Sequence, residues 1–118
     1  MLNRVVITGF GNVCAFGRDW ASIKQNLAHQ KSAVVYMSEW DIFGEELNTR
    51  LGAPIQNYAP PAHWNRKDTR SMGKVAMFGV DAAGEALADA GLLEEGCIKD
   101  GRMGVAAGSC SGDAKATG

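Results

Sequence analysis

An α/β fold is what this sequence predicts, on three observations. Residues 4–8, Arg-Val-Val-Ile-Thr, place three β-branched apolar side chains in a row before Gly9. Residues 103–107, Met-Gly-Val-Ala-Ala, are a second short run of small or apolar residues with no polar alternation. Runs of this kind suit strands buried on both faces of a sheet. Between them, residues 65–90 repeat apolar side chains at helical spacing, the pattern of a long packed helix. A strand, helices and a second strand in that order open a βαβ-type sheet.

Composition narrows the class. A chain of 118 residues is long enough for one domain with a core. A formal net charge of −1 gives no general pull toward nucleic acid or an anionic membrane, so neither is expected as a partner. No apolar run approaches the roughly 20 residues needed to cross a bilayer. The first residues lack the basic and then long apolar pattern of a signal peptide. A cytoplasmic location is the expectation. Cys14, Cys97 and Cys110 are odd in number and unrelated in spacing, which predicts reduced thiols rather than a disulfide framework or a zinc site. No metal or cofactor is expected.

In chain order, the first strand opens into Gly9-Phe10-Gly11-Asn12. A Gly-x-Gly after a strand invites a dinucleotide-binding reading, but the third glycine of that fingerprint would fall on Cys14 and no helix opens at Gly11. The glycines are therefore read as letting the chain turn over a strand end. Residues 19–30 form a helix capped by Asp19, with Trp20, Ile23 and Leu27 on one face. His29 falls in its last turn, where a cation suits the helix dipole. Residues 33–37 read as extended, and residues 40–43 as an aromatic cluster in an acidic run. Residues 48–55 form a short strand that Pro54 ends or confines to an edge. Tyr58-Ala59-Pro60-Pro61 is a stiff linker, and His63 is a surface residue.

The helix over residues 65–90 is capped by Asn65 or Asp68 and ended by Gly91. Lys74, Asp81, Glu85 and Asp89 form its narrow polar stripe, and the rest is apolar. Such a helix needs cover on several sides, more than two main strands supply. Residues 92–101 are a polar connection. The last strand opens into Gly108-Ser109-Cys110-Ser111-Gly112. That loop is open to three readings: a nucleophile at Cys110, a phosphate cradle, or one wall of a larger pocket.

Taken together, these stretches resemble the N-terminus of the β-ketoacyl-acyl-carrier-protein synthases, the elongating condensing enzymes of the thiolase-like superfamily. Residues 4–17 are similar to the family's Arg-Val-Val-Val-Thr-Gly-x-Gly opening. Residues 20–33 resemble its first helix and the Gly-x-Ser-Gly after it, with Gln30 and Ala33 in place of the glycines. Residues 66–72 resemble the basic start of its long helix. Residues 86–92 resemble Ala-x-x-Asp-Ala-Gly-Leu, and residues 102–112 resemble Arg-x-Gly-x-x-x-Gly-Ser-x-x-Gly.

The resemblance implies a partial thiolase-like fold: the first strands and helices of the N-terminal half of a five-stranded mixed sheet with helices on both faces. Residues 1–118 would be the N-terminal part of the first half of such a synthase, with no complete second domain. It implies acyl carrier protein as partner, acyl and malonyl thioesters as substrates, and a homodimer when intact. The implied reaction is a decarboxylative Claisen condensation in fatty acid biosynthesis, carried by a cysteine thiolate. The family's catalytic cysteine, histidines and lysine match nothing in this chain, so no catalytic residue is assigned and the fragment itself is expected to be inactive.

Two roles transfer by position. Lys67 and Arg70, with Arg66 beside them, match the basic residues that receive the acidic carrier protein. Ser111 matches a position where many members carry a larger apolar residue lining or gating the acyl pocket. The loop over residues 102–112 then reads as one wall of that pocket. The alternatives are a non-catalytic chain-length-factor-like partner, a polyketide ketosynthase fragment, and a small α/β ligand-binding module. The last would need a complete glycine fingerprint or a Lys-Ser/Thr after a glycine loop.

Overall fold

The structure, a computed structural model, describes residues 3–110 and 112. The chain divides into two compact units, Cys14–Tyr58 and Met1–Val13 with Ala59–Gly118. The division at Tyr58 falls at the start of the proline-containing linker.

The unit Cys14–Tyr58 starts with a tight turn. Cys14 N–H donates to Gly17 O at 3.1 Å and Gly17 N–H returns to Cys14 O at 2.9 Å. Helix α1 (Trp20–Ala28) follows. The Asp19 carboxylate accepts the Ser22 N–H at 2.8 Å and the Ala21 N–H at 3.4 Å, satisfying donors that have no partner inside the helix. The hydrogen bonds from Ser22, side chain first, hold the Asp19 carboxyl below its ordinary value. Of the apolar face, Ile23 is buried at 5% exposure, while Trp20 and Leu27 remain about half exposed.

Helix α1 stops in a Schellman motif. Lys31 N–H donates to Asn26 O at 3.0 Å and Gln30 N–H to Leu27 O at 2.9 Å. The motif needs a left-handed residue after the cap, and here that residue is Gln30, at φ 54°. This is one of the two positions where the resemblance expects glycine.

Strand β1 (Val35–Tyr36) pairs antiparallel with β2 (Leu51–Gly52), Val35 opposite Gly52 and Tyr36 opposite Leu51. Met37 N–H extends the pairing to Arg50 O at 2.7 Å. The ladder ends before Pro54, which has no N–H to offer. A 3₁₀ segment (Ser38–Glu46), interrupted at Gly44, joins the strands. Asp41 in that segment accepts the Tyr36 hydroxyl and faces Arg50 Nε at 3.0 Å. Nε is buried and too poorly aligned to hydrogen-bond, so the contact is an ion pair. The Arg50 Nη2 donates to Gly44 O. Met37 is buried beneath Gly52, where an added Cβ would lie 3.1 Å from Met37 Cγ.

In the second unit the expected long helix is two helices. Helix α2 (Arg66–Thr69) is one turn, and α3 (Lys74–Asp89) carries the apolar pattern. Gly73 breaks the continuity by taking extended backbone, φ −72° and ψ 169°. Gly91 ends α3 at φ +69°, with Gly91 N–H on Ala88 O and Leu92 N–H on Leu87 O. That is the Schellman pattern again, with glycine where glycine costs least. A 3₁₀ turn (Gly96–Ile98) lies in the polar connection.

The two expected buried strands are corrected by the structure. Residues 4–8 and 103–107 are assigned no strand pairing among the described residues. Val5, Ile7 and Val105 are 92%, 90% and 94% exposed. Their composition suits a buried strand, but a strand exists only where a neighbouring chain segment accepts its ladder. Burial along α3 does not divide by polarity. Asp81 of its polar stripe is the buried residue of α3 at 3% exposure, whereas Val75 and Val80 are nearly half exposed.

Candidate functional site

The acidic stripe of α3 holds the glycine loop. Residues 81, 85 and 89 are successive i, i+4 neighbours and share one helix face. The Asp89 Oδ2 accepts Phe10 N–H at 3.1 Å and the Glu85 Oε2 accepts Asn12 N–H at 3.4 Å. Between these contacts the backbone presses onto the helix. A Cβ on Gly9 would lie 2.6 Å from Ala90 N and closer still to Ala86 O. A Cβ on Gly11 would lie 2.7 Å from Glu85 Cβ and closer to Ala82 O. The two glycines therefore allow close approach to a helix flank, beyond the turn that the sequence implied. Both glycines lie against the C-terminal half of α3, whereas a dinucleotide's pyrophosphate binds at a helix N-terminus. The i, i+4 acidic spacing was the sequence signal for this contact.

The opposite face of α3 is apolar. Val75, Ala76, Gly79, Val80 and Ala83 line one side of an open groove of about 600 Å³, and residues 105–109 line the other. This is the stretch read from the sequence as the wall of a larger pocket. Beyond it, the Ser109 hydroxyl accepts Gly112 N–H at 3.0 Å and closes the loop. Ser111 lies outside the described residues. Cys110 is exposed and Cys14 and Cys97 are half-buried, and none of the three is in a disulfide among the described residues. Cys14 Sγ faces Gly17 O at 3.5 Å. Among the described residues no group of His, Cys, Asp and Glu side chains is arranged to hold a metal ion.

The basic residues come together on α2. Asn65 and Asp68 form a capping box: Lys67 N–H donates to Asn65 Oδ1 at 2.7 Å, and Asn65 N–H donates to Asp68 Oδ2 at 2.9 Å. Arg66 and Lys67 occupy the single turn and Arg70 its C-cap, with Arg70 N–H on Arg66 O at 3.1 Å. All three side chains are exposed, and among the described residues none forms an ion pair. Placed this way, they do not sit at the N-terminus of α3, and Arg70 lies at the end of α2 where a cation suits the dipole. The box rigidifies the backbone while the three charges face solvent. Nearby, the His63 ring meets the Trp64 ring edge-on at 6.4 Å.

At the other end of the polar connection, Asp100 and Arg102 form an exposed pair, Arg102 Nε to Asp100 Oδ2 at 2.7 Å. This hydrogen bond, followed by that from the Arg102 N–H, holds the Asp100 carboxyl below its ordinary value. The pair fixes the turn that leads into residues 103–107.

Comparison with known proteins places this arrangement. The sequence model of the family described as "Beta-ketoacyl synthase, N-terminal domain" matches residues 2–118. The chain is 32% identical over 114 residues to 3-oxoacyl-[acyl-carrier-protein] synthase 1 of Haemophilus influenzae, covering 96% of this chain and 27% of that protein. It is 37% identical over 92 residues to Nodulation protein E of Rhizobium meliloti, covering 78% of this chain and 22% of that protein. The crystal structure of a β-ketoacyl synthase from Burkholderia phymatum superposes with a TM-score of 0.78 at 50% identity, over 87% of this chain and 25% of that one. The chain thus spans about a quarter of the length of the proteins it matches. With a family match along almost its whole length and a solved relative of the same α/β, thiolase-like fold, this chain belongs to the β-ketoacyl synthase family, in its N-terminal domain.

Proposed function

We propose that this chain is the N-terminal part of the first half of a 3-oxoacyl-[acyl-carrier-protein] synthase, an acyltransferase that condenses acyl groups with malonyl thioesters. One observation carries the reading: the fold superposes on a β-ketoacyl synthase at 50% identity over 87% of the chain. In the reaction, a cysteine thiolate attacks the acyl thioester carbonyl and the carrier's thiol leaves. Loss of carbon dioxide from the malonyl thioester leaves a carbanion, which forms the new carbon–carbon bond and expels the cysteine thiolate. Neither the thiolate nor the assisting histidines is assigned to Cys14, Cys97, Cys110, His29 or His63. The synthase works as a cytoplasmic homodimer on acyl carrier protein.

In this reading Arg66, Lys67 and Arg70 receive the acidic carrier protein. Three solvated cations and one acid, Asp68, on a capped turn leave a local excess of two positive charges, which steers and orients an acidic partner. Ser111 shapes the entrance of the acyl pocket. The test is affinity for acyl carrier protein in the synthase polypeptide that carries these residues. Lys67→Glu with Arg70→Glu should weaken binding by about tenfold or more at low salt, with a smaller loss at high salt. Unchanged affinity at low salt would overturn the docking assignment.

A further inference from the structure

We draw no further inference here: the strongest candidate, the apolar groove between residues 75–83 of α3 and residues 105–109, has nothing in the structure to show what covers it.

Discussion

Asp89 accepts the backbone N–H of Phe10 across 79 positions of sequence, at 3.1 Å. One helical turn earlier, Glu85 does the same for Asn12. Two carboxylates on one helix face thus hold a loop whose glycines lie flat against the helix backbone. The arrangement depends on Gly9 and Gly11 having no side chain, because their nearest neighbours are backbone atoms that cannot move aside.

Gly11→Ala should therefore destabilise the protein by about 3 kcal/mol, within the range for forcing extra atoms into packed space. Amide exchange at Phe10 and Asn12 should quicken as the loop lifts. Gly84→Ala is the control, since nothing lies within 4 Å of its added Cβ. In a helix interior that change should stabilise by about 1 kcal/mol. Denaturant unfolding of the two variants checks both signs, and equal effects would refute the close-approach account.

Gln30 holds the left-handed position that ends α1. A β-carbon there costs about 1–2 kcal/mol that glycine avoids. Part of the gain is offset by the greater freedom of glycine in the unfolded chain. Gln30→Gly is expected to raise stability by about 0.5–1 kcal/mol, read as a higher melting temperature. A lower one would show that the Gln30 side chain contributes more than its backbone strain costs.

The Tyr36 hydroxyl donates to the Asp41 carboxylate, and this hydrogen bond is the main reason the phenol is raised above its ordinary value of 10.0. A raised value means that the contact stabilises the fold below the unfolded value and is lost as pH climbs through the folded one. Asp41→Asn should return Tyr36 toward 10.0. The chain has two tyrosines, so tyrosinate absorbance in a Tyr58→Phe background reports Tyr36 alone. An unshifted titration after Asp41→Asn would refute the assigned cause.

The proposed role of Ser111 at the entrance of the acyl pocket makes the size of its side chain testable. In a synthase carrying this chain, Ser111→Ile should narrow the pocket entrance and move the product profile toward shorter acyl chains. Chain-length analysis of the 3-oxoacyl products checks this, and an identical profile would remove Ser111 from the pocket.

Much of the local structure was legible because its causes lie within a few residues. The Asp19 cap, the end of β2 before Pro54, the linker after Tyr58 and the stop at Gly91 each follow from a side chain or a missing N–H acting on its neighbours. The basic cluster was legible by position, though its placement on a separate capped turn was not. The break at Gly73 came from backbone that apolar periodicity does not register.

By itself, the sequence determined α1 with its Asp19 cap, the stop of α3 at Gly91, the family motifs and the acidic spacing of residues 81, 85 and 89. Tertiary structure decided which face of α3 is covered. It decided that Gly9 and Gly11 serve a helix flank, and that residues 4–8 and 103–107 have no strand partner among the described residues despite their strand-like composition. The physical reason is one of range. A cap or turn is satisfied within about four residues, whereas a ladder or a close backbone approach needs a partner that only folding brings near.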